Sequence, residues 1–360
     1  NRNKTNVSEA LNEVAAAGGG GLTPILDAIV NEVTSDEELA LAYDQLSGET
    51  VGTLQTTTLF NAHNFANNLM ICKQREGTFT AIAEGQCYWL QPQGRRVNRD
   101  STSQNVGVTE SVGGIALGVQ FSVAPNWFVG GGFSYEGGTF DTDSGTDGTI
   151  DRYQGGAVVK YQKDALLVAG SVSGGTSQID QTRNVNFGGL ALAAHSNPDV
   201  GFVGAQMRAA YLLESGAWSF KPTVDLNVTY VSRDRERETR ADGANLIIGG
   251  DDNTVFSGAP SVEISRDYAF ESGMKIRPFV DLGLTVFANT EQTFTTQFAD
   301  APDGTGGFVV ETELDTVFGD VDAGATLFSQ GNYDLTLRYQ GRFAGNTTIH
   351  GGQFRASVKF

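Results

Sequence analysis

The sequence predicts an all-β transmembrane barrel of the outer-membrane type: twelve antiparallel strands in up-and-down order, an N-terminal helical segment, and a helix threading the pore. Three observations predict it. The last strand alternates, with Gly352, Phe354, Ala356, Val358 and Phe360 on one face and Gln353, Arg355, Ser357 and Lys359 on the other. That two-residue period belongs to a strand with one apolar and one wet face. Long polar connections and tight turns separate such segments, as in barrels with short turns at one end and longer loops at the other. The composition agrees, with 46 Gly, 22 Phe and 10 Tyr against 8 Pro in 360 residues. Glycine relieves crowding in a barrel wall, and aromatic rings sit at membrane interfaces.

Residues 1–48 read as short helices. Ser8 is a candidate cap for a helix with Leu11 and Val14, and the run from Gly18 to Gly21 breaks it. Thr23-Pro24 is a helix start, followed by Ile25, Leu26, Ile29, Val30 and Val33 at helical spacing. Ser35 and Glu38 form a capping-box pattern ahead of Leu39, Ala42, Tyr43 and Leu46. Residues 49–85 hold a different helix, the pore helix, and the connection that bears Cys72. The helix carries Thr53, Gln55, Thr56, Thr57, Thr58, Asn61, His63 and Asn64 among scattered apolar residues. About 24 residues give about 36 Å of helix, enough to thread a hydrocarbon core of about 30 Å. Its polarity forbids lipid contact, so it fits a pore interior; the alternative is an exposed amphipathic helix or a loop.

Residues 86–360 form the barrel. Strands are expected to begin near Gln86, Val112, Trp127, Ile150, Ala165, Phe202, Trp218, Thr254, Lys275, Val309, Tyr333 and Thr348. In the seventh, Val224, Leu226 and Val228 alternate with Asp225, Asn227 and Thr229; in the ninth, Val280, Leu282 and Leu284 alternate with Asp281, Gly283 and Thr285. An arginine is expected to be tolerated at Thr229, on the wet face. Tight turns are expected at residues 125–126, 163–164, 214–216, 271–273 and 330–332, and long connections at 96–110, 141–148, 184–198, 233–252 and 289–307, in strict alternation.

A net charge of −18 argues against a nucleic-acid partner. No apolar run is long enough for a transmembrane helix. The chain begins at Asn1 with neither initiator methionine nor signal peptide, which reads as a mature piece or the C-terminal part of something longer. The two cysteines, Cys72 and Cys87, fit one local disulfide made in an oxidising periplasm; two unlinked thiols are the alternative. No cofactor or metal is implied. His195, His350, Asp251 and Asp252 read as loop positions, and no Ser nucleophile elbow or His cluster is present. The acidic run Asp141, Asp143, Asp147 and Asp151 departs from EF-hand spacing and reads as a solvated loop.

The chain resembles the C-terminal translocator barrel of bacterial autotransporters, the type V secretion pathway. The residues that carry the resemblance are Asp44-Gln45-Leu46-Ser47-Gly48-Glu49, the pair Cys72 and Cys87 before Tyr88-Trp89, the stretch Trp127 to Tyr135, and the closing Phe360. The resemblance implies a non-enzymatic, monomeric pore in the outer membrane of a Gram-negative bacterium. Its partners would be lipid, the barrel assembly machinery and its own upstream passenger. Phe354, Ala356, Val358 and Phe360 would be the assembly signal. Asp225, Asp281, Arg277 and Arg338 are expected as lumenal contacts to the helix. Asn67-Asn68 matches the step at which some members cut themselves, an asparagine amide attacking its own carbonyl beside lumenal carboxylates. The plainer reading, two polar helix residues in a wet pore, is the one the sequence favours. A diffusion porin is the competing function and an outer-membrane barrel enzyme a more distant one.

Overall fold

A computed structural model describes residues 2–72, 84–102, 105–329 and 332–360. Twelve strands of these residues close into one barrel: β1 (Cys87–Arg99), β2 (Val108–Ala124), β3 (Trp127–Thr142), β4 (Thr146–Lys163), β5 (Leu166–Val185), β6 (Asp199–Tyr211), β7 (Trp218–Arg233), β8 (Asp251–Arg266), β9 (Lys275–Ala288), β10 (Val317–Phe328), β11 (Tyr333–Phe343) and β12 (Thr347–Lys359). Each pairs antiparallel with its sequence neighbours, and β12 pairs with β1 to close the ring. Closure leaves no free edge, so every strand can satisfy its backbone inside a membrane.

The expected faces hold. Leu226, Leu282, Leu337 and Phe354 point outward and are exposed, while Thr223, Thr229, Arg277 and Arg355 point inward and are buried. Rings collect at the two ends of the outer band. At the turn end Phe360 stacks on Tyr88 at 4.6 Å and meets Phe121 edge-on at 5.7 Å. At the opposite end Tyr135 and Tyr153 lie 5.2 Å apart. These are the interfacial girdles of a membrane barrel. Two joins in the wall are interrupted by proline, which has no N–H to donate. Pairing between β1 and β12 skips Gln91 and Pro92, and pairing between β8 and β9 skips Ala259 and Pro260.

Two expectations about the wall are corrected. The strand expected at Val309 is real but lies outside the barrel: Gly307–Glu313 pairs with Glu291–Phe298 in a separate four-stranded loop sheet, and the tenth barrel strand begins at Val317. Loop lengths also do not alternate strictly. Residues 141–148 are mostly strand, with a turn of residues 143–145 between β3 and β4, and only residues 344–346 separate β11 from β12. Strands β3 and β4 run on past the lipid band, where both faces can be polar. Of the tight turn expected at 330–332, residues 330 and 331 lie outside the described residues.

The helices divide into two groups. Helices α1 (Arg2–Ala16), α2 (Thr23–Asn31) and α3 (Asp36–Ser47) pack on the loop sheet at the long-loop end. Ser35 caps α3 by accepting the Glu38 amide, as expected. Val7, Leu11, Val14, Ile25 and Leu46 share a core with Leu246, Phe294, Phe298 and Val310 of the loop sheet. The result is a folded cap over the mouth. Its hinge to the next helix is the buried Glu49, which accepts the Val106 amide at 2.6 Å and the Asn3 side-chain amide at 2.8 Å. Burial pushes the Glu49 carboxyl up to about 7. Helix α4 (Thr50–Leu69) then enters the barrel. Its 20 residues make about 30 Å of helix.

Candidate functional site: the occupied lumen

Helix α4 is short of the apolar surface that a lipid-facing helix would need, and it has none to spare because the wall encloses it. Of its residues only Asn64 and Asn67 are more than marginally accessible. Three threonines return their hydroxyls to the helix itself: Thr56 to the Gly52 carbonyl, and Thr57 and Thr58 to that of Leu54. That satisfies polar groups locally. The wall meets further polar groups at Gln55, Thr57, Thr58, Asn61, His63, Asn67 and Asn68.

The helix leans to one side. Its backbone runs nearest to β2 to β7 and the loop strand Gly307–Glu313. There Arg152 on β4 is fully buried and holds Glu110 of β2 with two bonds of 2.8 Å, while donating to Thr57 of the helix at 2.9 Å and to Ser177 of β5 at 3.1 Å. Thr58 and Ser177 share a hydroxyl contact of 3.1 Å. Arg95 of β1 donates to the Asn61 side chain and pairs with Glu110 at 3.3 Å. Lower down, Asn67 accepts from Gln206 and Arg208 at 2.9 Å each, and Arg208 is held by both oxygens of Asp225 at 2.7 and 2.6 Å. His63 lies against Thr229 at 3.3 Å and stacks on Phe287. This occupancy overturns the expectation of a tolerant position at Thr229: the site is dry and filled.

At the lower end of the helix, Leu69 is received by a notch of glycines. A Cβ at Gly156 would lie 2.9 Å from one Leu69 methyl, and one at Gly132 would lie 3.0 Å from the other. Trp89 and Met70 complete this apolar seat. Just beyond, Cys72 is bonded to Cys87 at the start of β1, with 6.2 Å between Cα atoms. The disulfide ties the outgoing helix to the first strand.

Across the lumen Phe60 packs edge-on against Phe287 of β9 and Phe318 of β10, and below it the helix stands off from the wall. A cavity of about 190 Å³ lies beside Phe60, Asn64 and Asn67, lined by β7 to β11 and reaching Arg95, Glu136 and Arg208 on the other strands. Its lining includes ion pairs between strands: Lys221 with Glu263 at 2.8 Å, Arg338 with Asp322 at 3.6 Å, Arg342 with Asp320 at 2.7 Å. Of the four wall residues expected to contact the helix, Asp225 does so through Arg208. Asp281 and Arg338 line the cavity instead. Arg277 is held by Asp267 at the turn end and lies over Phe328. The groups that grip the helix, Arg95, Arg152, Arg208 and Arg355, had a signal in the sequence, since all fall on inward positions; their height along the barrel had none. Among the described residues no group of three or more His, Cys, Asp or Glu side chains is placed to hold a metal. Asp141 faces Asp147 across β3 and β4, Asp143 accepts from Ser101, and Asp151 accepts from Tyr135. Asp251, expected in a loop, opens β8 and accepts from Gln55 of the helix at 3.2 Å.

A closed barrel with an apolar exterior and a polar helix along its lumen has known counterparts. A family model described as Autotransporter beta-domain matches residues 88–340. Among solved structures the chain is similar to the translocator domain of the autotransporter NalP from Neisseria meningitidis, with 12% identity, 86% of this chain and 98% of that one covered, and a TM-score of 0.68. It is similar also to the β-domain of the Bordetella autotransporter BrkA, at 15% identity, 77% and 100% coverage and a TM-score of 0.57. The transport unit of AIDA-I from Escherichia coli matches at 12% identity, 83% and 98% coverage and a TM-score of 0.52. No curated protein matches by sequence. The identities are low enough that the solved structures speak for the fold, while the family match spans most of the barrel. The chain therefore belongs to the autotransporter β-domain family, as an outer-membrane translocator for export of a passenger.

Proposed function

We propose that the barrel is held in its post-export state, in the outer membrane of a Gram-negative bacterium, with α4 as the last stretch of the exported chain left in the pore. The observation that carries this reading is a polar helix enclosed along its whole length by a barrel whose outside is apolar. The helix runs from the long-loop end to the turn end, where Cys72 joins β1. With short turns on the periplasmic side, the cap of α1 to α3 lies outside the cell, and a passenger upstream of it is already across. The protein works as a monomer, because its lipid-facing band is continuous around the ring.

The passenger stays attached. Self-cleavage needs the Asn67 amide nitrogen as a nucleophile, yet its amide oxygen accepts from Arg208 and Gln206, which draws electron density away from that nitrogen. Asp225 is bound to Arg208, and the Asn67 carbonyl accepts the Met70 amide. Nothing here activates the amide. Barrel assembly machinery reads Phe354, Ala356, Val358 and Phe360, which form one outward stripe on β12 ending in the Phe360–Tyr88 stack.

An epitope placed ahead of Arg2 tests the reading. In intact cells it is expected to be at the surface, removable by added protease, and to remain on one polypeptide with the barrel on a denaturing gel. A periplasmic epitope would overturn the export reading, and a separate barrel fragment would overturn the uncut junction. Deleting Phe360 should leave the chain in the periplasm; normal insertion of that variant would count against the assembly stripe.

A further inference from the structure

The seam between the first and last strands carries a feature that export alone does not require. Pairing between β1 and β12 is in register at Leu90 with Ala356 and at Gln93 with Gln353, yet the two positions between them are unpaired because Pro92 has no N–H. Side chains span that gap on the inner face. Arg355 of β12 donates through Nε to Gln91 Oε1 of β1 at 2.8 Å, and Gln91 donates back to Gln353 of β12 at 2.5 Å. The other two nitrogens of the Arg355 fork donate to the helix end: Nη1 to the Ile71 carbonyl and Nη2 to the Asn68 carbonyl, both at 2.7 Å. Its guanidinium lies 4.2 Å from the Trp89 ring of β1.

Asn68 is among the last four residues of the helix, whose carbonyls are left free, and Ile71 lies just past the cap; the peptide dipoles at this end also favour a cation. Arg355 is 4% exposed and among the described residues forms no ion pair, so the helix end and the indole face meet its charge. Asn68 adds a second strut, donating to Gln93 of β1 at 3.1 Å. The other proline gap, between β8 and β9, faces the cavity, where the helix stands off. One interrupted join is thus bridged through the helix and the other is not.

We infer that the pore helix latches the barrel seam, with Arg355 as the positioning residue that joins the helix end to the closing strand. The inference goes beyond the export reading and stands on the geometry of the closed barrel. Only its consequence rests on that reading: a barrel whose seam tightens when the last exported segment seats its C-terminus.

Backbone hydrogen exchange on the folded, full-length protein in detergent tests it. In Arg355→Gln, amides of residues 88–94 and 352–358 are expected to exchange at least about tenfold faster, the scale of one lost charge-assisted hydrogen bond. Amides flanking the β8–β9 gap should be unchanged, and Arg355→Lys should recover part of the seam protection. Unchanged seam exchange in the glutamine variant overturns the inference, as does an equal rise at both proline gaps, which would mean general loosening. Should the glutamine variant fail to assemble, Arg355→Lys and Gln91→Leu serve the same comparison: a rise confined to the seam supports the latch, and a uniform rise or none contradicts it. Export is read separately, from the surface epitope, so a failed latch leaves the export reading standing and a failed export reading leaves the exchange result standing.

Discussion

The two sides of the lumen solve the same problem differently. On the β2 to β7 side, charges are spent on the helix: the fully buried Arg152 reaches Thr57, the partly buried Arg208 reaches Asn67, and each is balanced by a wall carboxylate. On the β8 to β11 side, charged strands pair with one another, and Glu263 of β8 with Lys221 of β7, beside a cavity of about 190 Å³. The buried Arg152–Glu110 pair, with every guanidinium nitrogen bonded, holds one geometry, whereas partly hydrated pairs hold it weakly. The dry wall around Arg152 therefore positions the helix, and the wet wall keeps a cavity beside it.

That contrast can be broken most directly at the arginines. Arg152→Met leaves Glu110 buried with its main partner gone, a loss of about 3–5 kcal/mol, which should show as a large drop in the temperature at which the barrel loses its compact gel mobility. Arg338→Met on the wet wall, where the pair is partly hydrated, should cost about 1 kcal/mol or less. Equal losses would erase the distinction between the walls.

Arginine insertion sharpens it. On the lipid face, Leu226→Arg of the dry wall and Leu282→Arg of the wet wall should both cost roughly 2–4 kcal/mol, since the outside is the same for each. On the inner face the walls should diverge. Thr229→Arg has to displace His63 and should impair assembly, while Ser261→Arg faces the cavity and should assemble normally. Assembly yield in membranes reads all four.

A smaller effect belongs to the cap. Burial pushes both Glu49 and Glu236 up to about 7. An unfolded carboxyl ionises near 4.3, so between there and pH 7 the unfolded cap releases protons that the folded cap keeps. Stability is then greatest below about pH 4.5, falls as pH rises towards 7 and levels off above, by on the order of 1–3 kcal/mol per group. Cleavage of α1 to α3 by added protease should be slower at pH 5 than at pH 8 with a protease active at both. Faster cleavage at pH 5 would contradict the sign.

Much of this was legible in the sequence, because lipid imposes a two-residue period on the wall and that period is visible in side-chain types. It placed eleven barrel strands near their observed starts, the pore helix, and the inward facing of Asp225, Arg277 and Arg338. The tenth strand was missed because Val317–Phe328 is rich in small and acidic residues, Gly319, Asp320, Asp322, Ala323 and Gly324, whose alternation is faint. The stronger pattern nearby, Phe308 to Thr312, belongs to the loop sheet, which buries one face under the cap and so carries the same period. Loop-like composition in residues 141–148 hid the ends of β3 and β4, since strands beyond the lipid need no apolar face. Which inward residues meet the helix depends on the side to which α4 leans. On that side Leu69 seats in the Gly132 and Gly156 notch and Arg152 and Arg208 reach the helix, contacts far from any local signal.

The central claim, a lumen filled by its own exported segment, is tested most directly by single-channel conductance in planar bilayers. The intact chain should give small, rare steps through the residual cavity, and a barrel lacking residues 1–72 should give large, steady ones. Large, steady conductance from the intact chain would contradict the account and favour a diffusion porin.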